Sequence, residues 1–465
     1  MDPGRGRNTL AVDHTLHRNV QELFDHAVAS KIAPGFQFVL FDQDSFLING
    51  VSGLNLSSQA TDSQVARSSN PSHETKMAKN DVHWIASAGK LVVALVSLII
   101  LERNLAHNGM SFADLDDHEK LVEIVPEFKR GSGSLVTQII DGWEDGLDEQ
   151  GRRRPRLREA ETLITLRMLF THSAGFNFPW AHPLIAEWFI PSDGSVPLKQ
   201  PRISGLIDSF TLPLVHEPGT KVSYGFSTDW LAQWAVRSTG KSLRQLIATY
   251  ILEPLCIPLT ECDTVLTPEI EPHLTTTYHR RDNEEIPLVR GPRPPFYNCT
   301  GVPPPGYAHY ASAPLVSSTQ AYCLILQAVL THDSRLLINE DTWALAEKDA
   351  LEGQGISVPV PRVQSYEPKL ATDLMYFSKP VDSTKTSSMN LLNAEVALGP
   401  TTSGRPAGSY GWAGSWNTYF LIDPVKKFGY MWSAQCGPWV HPQFLALKDQ
   451  FEMLIYESIE TRKAI

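Results

Sequence analysis

Cysteine is scarce in this chain, and the little there is forms no pattern. The five cysteines, Cys256, Cys262, Cys299, Cys323 and Cys436, include no Cys-x-x-Cys pair and are odd in number, which argues against a disulfide framework or a zinc site. A reducing, cytosolic compartment is therefore expected. Long apolar runs are also missing. The longest, Leu91 to Leu101, is about half of what a bilayer crossing needs, so it reads as a buried helix and no membrane association is expected. The opening Met1-Asp2-Pro3-Gly4-Arg5-Gly6-Arg7 leads straight into polar sequence with no apolar core of a secretory signal. Lys463-Ala464-Ile465 is only a distant relative of a peroxisomal address. Positive charge is in deficit, and a formal net charge of −11 disfavours binding to nucleic acid. His-Glu-x-x-His does not occur, so no metal is expected, and no other motif asks for a cofactor. Gly-x-Ser-x-Gly is absent too, which disfavours an α/β-hydrolase elbow.

With 465 residues, 42% of them hydrophobic, the chain is able to bury a large core. The stretch that organises the rest is Trp84-Ile85-Ala86-Ser87-Ala88-Gly89-Lys90, followed directly by the apolar run. At the start of a helix, positions i and i+3 share a face with Cβ atoms roughly 5–6 Å apart, so the Lys90 amine is able to reach the Ser87 hydroxyl. A serine hydroxyl is a weak nucleophile that needs a base, and a lysine serves as one when burial lowers its pKa from about 10.4. Trp84, Ile85, Leu91 and Val92 are expected to supply the apolar walls. Ser-x-x-Lys alone is weak, since about one chance match is expected in a chain of this length, and an N-capping serine would look the same. A second match, Ser238-Thr239-Gly240-Lys241, carries a glycine where a helix would stop and reads as a helix terminus.

Apolar residues at helical spacing from Leu16 to Val28 end at Pro34-Gly35 and predict an amphipathic helix. Residues 36–41 and 46–51 predict two strands joined by a short polar turn. Residues 57–80 are polar and unpatterned and predict a surface excursion. Residues 91 to about 260 are mostly helical in pattern, broken by a charged stretch at 143–160 that reads as a solvated loop. It holds the chain's one dense basic cluster, Arg152 to Arg158, in which Arg152, Arg153 and Arg154 are candidates for docking an anionic donor. Long loops are expected at 292–310, rich in proline, and at 353–400, the latter a lid or a pair of edge strands. Residues 410–414, 416–422 and 428–432 predict successive strands, and Phe444, Leu447, Phe451, Leu454 and Ile455 a last helix. Strands at both ends with helices between them predict an α/β (α+β) architecture. An antiparallel sheet would form from 10–56 and 405–465, with a mainly helical domain, 81–404, inserted.

Three places in this order resemble one family: Ser87-x-x-Lys90 opening a buried helix, Tyr224 after Glu217-Pro218-Gly219-Thr220-Lys221-Val222-Ser223, and Trp412-Ala413-Gly414 near the end. The chain resembles the serine β-lactamase and penicillin-binding-protein superfamily, in the branch of class C β-lactamases and their esterase relatives. Leu163-Ile164-Thr165-Leu166-Arg167-Met168-Leu169-Phe170-Thr171-His172-Ser173-Ala174-Gly175 and Glu253-Pro254-Leu255 resemble two of its accessory segments. Two departures narrow the branch. Phe226 stands where β-lactamases have asparagine in Tyr-x-Asn, and Trp412 stands where they have the lysine of Lys-Thr-Gly, removing the cation that would hold a β-lactam carboxylate. The pattern is most similar to fungal transesterases of polyketide pathways.

That resemblance implies a Ser87 acyl-enzyme, with Lys90 activating the hydroxyl and Tyr224 relaying protons to the leaving group and from the acceptor. It implies an oxyanion hole from the backbone N–H groups of Ser87 and Ser415, and a structural role for the His172 segment. The expected activity is transfer of an acyl group from an ester or thioester, carried by an acyl carrier protein or coenzyme A, to a hydroxyl of a secondary metabolite. A carboxylesterase using the same acyl-enzyme is the alternative, and a catalytically inactive binding member a second one. An apolar acceptor wall is expected from Phe226, Trp230, Trp412, Gly414 and Trp416, with Tyr297, Tyr307 and Tyr310 in the proline-rich loop able to cover it. Trp432 is expected to fill the core instead.

Overall fold

The computed structural model describes residues 14–56, 74–199, 205–281, 288–291, 301–304, 306–356, 358, 379–384 and 387–463. An eight-stranded antiparallel sheet forms one half of the molecule. Its order is Ser387–Met389, Glu395–Ala397, Tyr410–Gly414, Thr418–Asp423, Phe428–Ser433, Gly35–Asp42, Phe46–Leu56 and Glu74–Lys76. The two ends of the chain meet where Gly35–Asp42 pairs with Phe428–Ser433, in a register that sets Phe38 opposite Trp432.

Alternation along the central strands covers both faces of this sheet. Phe36, Phe38, Leu40, Tyr419 and Leu421 face a core shared with Phe24 of the His14–Ala29 helix and Phe444 and Phe451 of the Pro442–Lys463 helix. Val39, Phe41, Phe420 and Ile422 face the opposite way, into the larger core of the helical half. Trp432 is fully buried in the first core, stacked on Tyr419 with ring centroids 4.6 Å apart, as its expected core role requires.

The helix Lys90–Glu102 is buried from Lys90 through Leu101 and packs against Ser227–Thr239. A helix apolar on all sides belongs in a core, and each fully buried Leu, Ile or Val contributes about 1.5–3 kcal/mol. This fixes the helix as a rigid mount for whatever its first turn carries. A small sheet of His83–Trp84, Val316–Ser317 and Cys262–Asp263 leads into that turn. Among the described residues, no helix is long and apolar enough to cross a membrane.

Two expectations are corrected. The charged stretch at 143–160 is no loop: Gln138–Leu147 and Arg153–Glu159 form a β-hairpin. Its period-2 signal is masked because one face carries arginines paired with acids instead of apolar residues. The sheet also reaches beyond its expected bounds of 10–56 and 405–465: of the two alternatives for 353–400 the edge strands are present, as Ser387–Met389 and Glu395–Ala397, and Glu74–Lys76, in the stretch expected to be a surface excursion, pairs with Phe46–Leu56. Residues 57–73 and 292–300, with Tyr297, lie outside the described residues.

Candidate active site

The turn that carries Ser87 is held from several sides. Gln435 accepts from the Trp84 backbone N–H through Oε1 (2.9 Å) and donates to the Trp84 carbonyl through Nε2 (3.0 Å). Ile85 N–H donates to the Leu315 carbonyl (3.2 Å), and the Tyr322 hydroxyl donates to the Ala88 carbonyl (2.7 Å). Ala86, just before the serine, adopts φ 51°, a left-handed conformation that costs a residue with a Cβ roughly 1–2 kcal/mol and persists only where the surroundings impose it. From Asp81 to Leu101, every residue but Ser87 is buried.

Lys90 is buried, with Nζ 3.0 Å from Ser87 Oγ and donating to the Ser312 carbonyl at 2.5 Å. The Ser87 hydroxyl also lies 3.4 Å from that carbonyl. The aromatic surroundings of the amine differ from expectation. Nζ lies 5.0 Å from the Tyr224 ring centroid and 5.5 Å from that of Phe178, so part of its wall comes from the second motif and from a residue 88 positions away.

Tyr224 is positioned by its backbone. The Phe178 N–H donates to the Tyr224 carbonyl (3.2 Å), the Ser223 N–H to the His172 carbonyl (2.8 Å) and the Ser223 hydroxyl to the Phe176 carbonyl (2.8 Å). Gly225 is demanded by this packing, since a Cβ there would sit 2.4 Å from the Asn177 nitrogen. Trp412, Phe178 and Trp180 pack around the Tyr224 ring with centroids 5.3, 5.0 and 5.8 Å away. The phenol oxygen is buried with no hydrogen-bond partner among the described residues.

His172 completes this wall, edge-on to Tyr224 at 5.2 Å and stacked against Trp412 at 6.3 Å. Burial, helped by the charge of Lys90, lowers its pKa to about 3, so the ring is neutral at physiological pH and packs as an aromatic. Gly414 lets the last motif close on the nucleophile turn. A Cβ there would lie 2.5 Å from the Ile85 carbonyl oxygen and 2.2 Å from Thr418 Oγ1, and Thr418 donates to that same carbonyl (3.0 Å). Ser415, the next residue, is exposed.

The structure thus brings together Ser87, Lys90, Tyr224, Trp412 and Gly414, and seats Phe226 behind them, 4.7 Å from Phe178. Trp230 does not belong to this wall. It is fully buried between Phe128, Phe176 and Phe210, because the helical period turns it from the cleft into the core. Trp416 packs with the small cluster of Val82, Trp84 and Val316 and lies edge-on to His279 at 5.2 Å. Tyr307 is 49% exposed and bridges to Leu206, while Tyr310 is half-buried just ahead of Ser312. Ser238 donates within its own helix to the Ala235 carbonyl (3.1 Å), and Gly240 caps that helix at φ 67°. The second Ser-x-x-Lys is a helix terminus, as its glycine foretells.

The arginine cluster is largely neutralised where it stands. Arg152 pairs with Asp148 (2.9 Å), Arg156 with Asp141 (2.6 Å) and Arg158 with Glu217 (2.5 Å). Arg153 pairs with Glu187 and lies over the Trp143 ring at 4.5 Å. Arg154 is exposed and makes no ion pair among the described residues.

Sequence reasoning missed Phe178, Trp180, Ser312 and Asp229. The first two follow the matched segment closely and announce themselves only by being aromatic. Ser312 acts through its main chain, which leaves no residue-type signal. Asp229 is a fully buried acid on the Ser227–Thr239 helix. Its Oδ1 accepts from the N–H groups of Ala311 (2.9 Å) and Ser312 (3.0 Å), and its Oδ2 from the Ser312 hydroxyl. Burial pushes this carboxyl up, against the bond from Ser312 and the charge of Lys90.

Known proteins share this arrangement of elements. The family model Beta-lactamase matches residues 20–443. Monacolin J acid methylbutanoyltransferase from Aspergillus terreus is 26% identical over 374 residues, 80% of this chain and 81% of that one. Lovastatin esterase from Penicillium rubens is 32% identical over 178 residues, covering 38% and 39% of the two chains. A solved structure of simvastatin synthase from Aspergillus terreus, a mutant form, superposes with a TM-score of 0.72 at 23% identity, over 96% of this chain and 100% of that one. With a family match over nearly its whole length and a fold to agree with it, this chain belongs to the beta-lactamase family.

Proposed function

We propose that this protein is a serine-dependent acyltransferase of secondary metabolism. It moves an acyl group from an ester or thioester donor, through Ser87, to a hydroxyl of a small apolar acceptor. The observation that carries the reading is Lys90 Nζ set 3.0 Å from Ser87 Oγ and 5.0 Å from the ring of Tyr224, whose hydroxyl is buried without a hydrogen-bond partner among the described residues. Relatives named for acyl transfer in statin pathways support the reaction class.

In this mechanism Ser87 Oγ attacks the acyl carbonyl as its proton passes to Lys90 Nζ. In this reading the oxyanion forms against the N–H groups of Ser87 and Ser415, supported by the close approach of Gly414 to the Ile85 carbonyl at the start of the nucleophile turn. Tyr224 protonates the departing thiolate or alkoxide, leaving the acyl ester on Ser87. The acceptor hydroxyl then loses its proton to Tyr224 as its oxygen attacks that ester, and Ser87 regains a proton from Lys90. Transfer wins over hydrolysis only where water is excluded and the alcohol is held near the carbonyl, for which effective molarities reach roughly 10⁵ M or more. Trp412, Phe178, Trp180 and Phe226 offer such a wall. No acidic or basic side chain of the family's third motif remains to select a charged acyl group.

Hydrolysis is the second reading, favoured by the likeness to a lovastatin esterase. Incubating the protein with an acyl thioester and a panel of polyketide alcohols, then comparing ester with free acid by mass spectrometry, decides between them. Ester is the expected product, and free acid dominating across the panel would move the protein to the esterases. A coenzyme A or carrier-protein donor belongs to the same proposal and is tested by presenting one acyl group on each.

A further inference from the structure

We infer that Asp229 is a positioning residue of the acyl transfer, setting the Ser312 carbonyl against Lys90 and thereby holding the amine at Ser87. The inference rests on the reading of Ser87 and Lys90 given above. Lys90 is the only one of the three central groups carried on a long flexible side chain, with four rotatable bonds between its backbone and Nζ. Something must select the rotamer that brings Nζ to Ser87 Oγ. Its shortest hydrogen bond is to the Ser312 carbonyl, at 2.5 Å, and Ser312 lies just ahead of the strand Val316–Ser317, in a segment without regular structure of its own.

Asp229 ties this segment down at Ala311 and Ser312. Both N–H groups of the Ala311–Ser312 pair converge on Asp229 Oδ1, and the Ser312 hydroxyl closes on Oδ2. With its N–H and hydroxyl turned to Asp229, Ser312 presents its carbonyl to the other side, where Lys90 lies. Asp229 stands on the Ser227–Thr239 helix, which packs directly on the helix opened by Lys90. Both ends of the brace are thus fixed to one rigid core. An acid fully buried at this point would be costly unless its lone pairs were satisfied, and they are satisfied by the very segment that needs holding. Charge is not required for the role: an asparagine accepts the same two N–H groups through Oδ1 and donates from Nδ2 to the Ser312 hydroxyl oxygen.

The experiment is the labelling of Ser87 in the full chain by a p-nitrophenyl phosphonate, following release of p-nitrophenolate and resolving the rate of bond formation from reagent binding. Asp229→Ala is expected to slow bond formation at least about a hundredfold with reagent affinity little changed. Asp229→Asn should recover to within about fivefold of wild type, and Ser312→Ala, which loses one of the three bonds, should lose about tenfold. A purely structural Asp229 would instead lower the fraction of folded protein and leave the rate per folded molecule alone. Should Asp229→Ala fail to fold, Ser312→Ala carries the same test. Wild-type rates per folded molecule in Asp229→Ala or Ser312→Ala, or an asparagine variant as slow as the alanine, would overturn the inference. A wild-type protein whose Ser87 does not label would overturn the nucleophile assignment and this inference with it, so the two failures are told apart.

Discussion

Two of the sets of polar groups buried in this molecule are finished differently. At the back of the sheet, Glu452 on the last helix accepts from Ser403 and Tyr430 and from Lys448 (3.2 Å), while Tyr456 donates to Asp423 at 2.8 Å. Burial alone would raise the Glu452 carboxyl, yet Lys448, Arg405 and the two hydroxyl donors bring it below the ordinary carboxylate range. In the candidate site, Tyr224 Oη and Trp412 Nε1 are just as buried and have no partner among the described residues. The first set is closed: the bonds of Tyr430 and Asp423 hold the last helix to the sheet, and those from Ser403 and Lys448 complete the partners of the Glu452 carboxylate. The second is open, with polar atoms held in place by packing and left for another molecule to meet. Native structures satisfy nearly all buried polar groups. Unpartnered atoms are not confined to the site, since Trp230 Nε1 and Trp432 Nε1 in the core also lack a partner among the described residues; what sets the open pair apart is its place, with the Tyr224 ring 5.0 Å from Lys90 Nζ and Trp412 packed on that ring.

The largest expected effect lies at the centre of the open set. Ser87→Ala should abolish turnover of a chromogenic short-chain ester, by roughly four orders of magnitude or more, the scale on which removal of a nucleophile acts. Ser238→Ala, within the closed hydrogen bonding of its own helix, should leave turnover nearly unchanged. Equal losses from the two serines would erase the distinction drawn here.

A matched pair of tyrosines sharpens it. Tyr224→Phe removes one oxygen that makes no hydrogen bond among the described residues, so turnover should fall about a hundredfold, the usual scale of general acid–base help, with the thermal midpoint unmoved. Tyr430→Phe removes a donor from buried Glu452 and should cost about 1–3 kcal/mol of stability, seen as a lower urea midpoint, with turnover per folded molecule unchanged. If the two variants traded phenotypes, open and closed would be the wrong words for the two clusters.

The same contrast explains how much could be read in advance. Ser87, Lys90, Tyr224 and the Trp412-Ala413-Gly414 strand were legible because each motif reports a local requirement: a helix turn that sets i against i+3, a glycine forced by the Ile85 carbonyl, a packed loop behind a phenol. The sheet was legible because Phe38, Phe420 and Trp432 lie on strands whose two faces both need apolar cover. What stayed hidden was either main-chain or long-range. The Ser312 carbonyl has no residue-type signature, and Asp229 looks like any acid in the first turn of a helix until the chain returns 82 residues later to meet it. Trp230 shows the converse failure. Its place beside the motif suggested the cleft, while the helical period one residue after Asp229 sends it to the core.

A half-buried cluster of the closed kind tests whether such closure is pH-limited. His332 lies between Glu340 (2.7 Å) and Glu347 (3.1 Å), and Glu347 also accepts from Tyr410 (2.6 Å). The hydrogen bond that the imidazolium donates to Glu347, together with that to Glu340 and against partial burial, raises the histidine pKa to about 9. A folded-state value above the unfolded one, about 6.5, means a contribution fully present below pH 6.5 that fades as pH rises and is gone above about 9. Solvent weakens it, since Glu340 is largely exposed. Urea midpoints of wild type should therefore fall more between pH 6 and pH 9.5 than those of His332→Gln. Parallel pH profiles would show that the two glutamates do not hold the imidazolium.

The smallest effect is expected at the arginine hairpin, where closed and open meet in one element. Arg152, Arg153, Arg156 and Arg158 are each matched to an acid, so the charge that the sequence displays is mostly consumed within the fold. Arg154 is the exposed exception. Any attraction the hairpin exerts on the phosphates of a coenzyme A donor or on an acidic carrier protein would fall largely to this side chain. A single exposed charge acts through the encounter rate and is screened over a Debye length of about 8 Å at physiological salt. Arg154→Glu should thus lower kcat/KM for a carrier-borne or coenzyme A-borne acyl group by about two- to fivefold at low ionic strength. The loss should vanish as salt is added, and a small neutral ester should be unaffected throughout. Reversing Arg153 is the weaker experiment, because it also breaks the pair with Glu187 and the contact with Trp143 that fold the hairpin against its neighbours. An Arg154→Glu variant that treats the charged and neutral donors alike would make the hairpin wholly a closed cluster and leave the donor to be recognised by the aromatic wall alone.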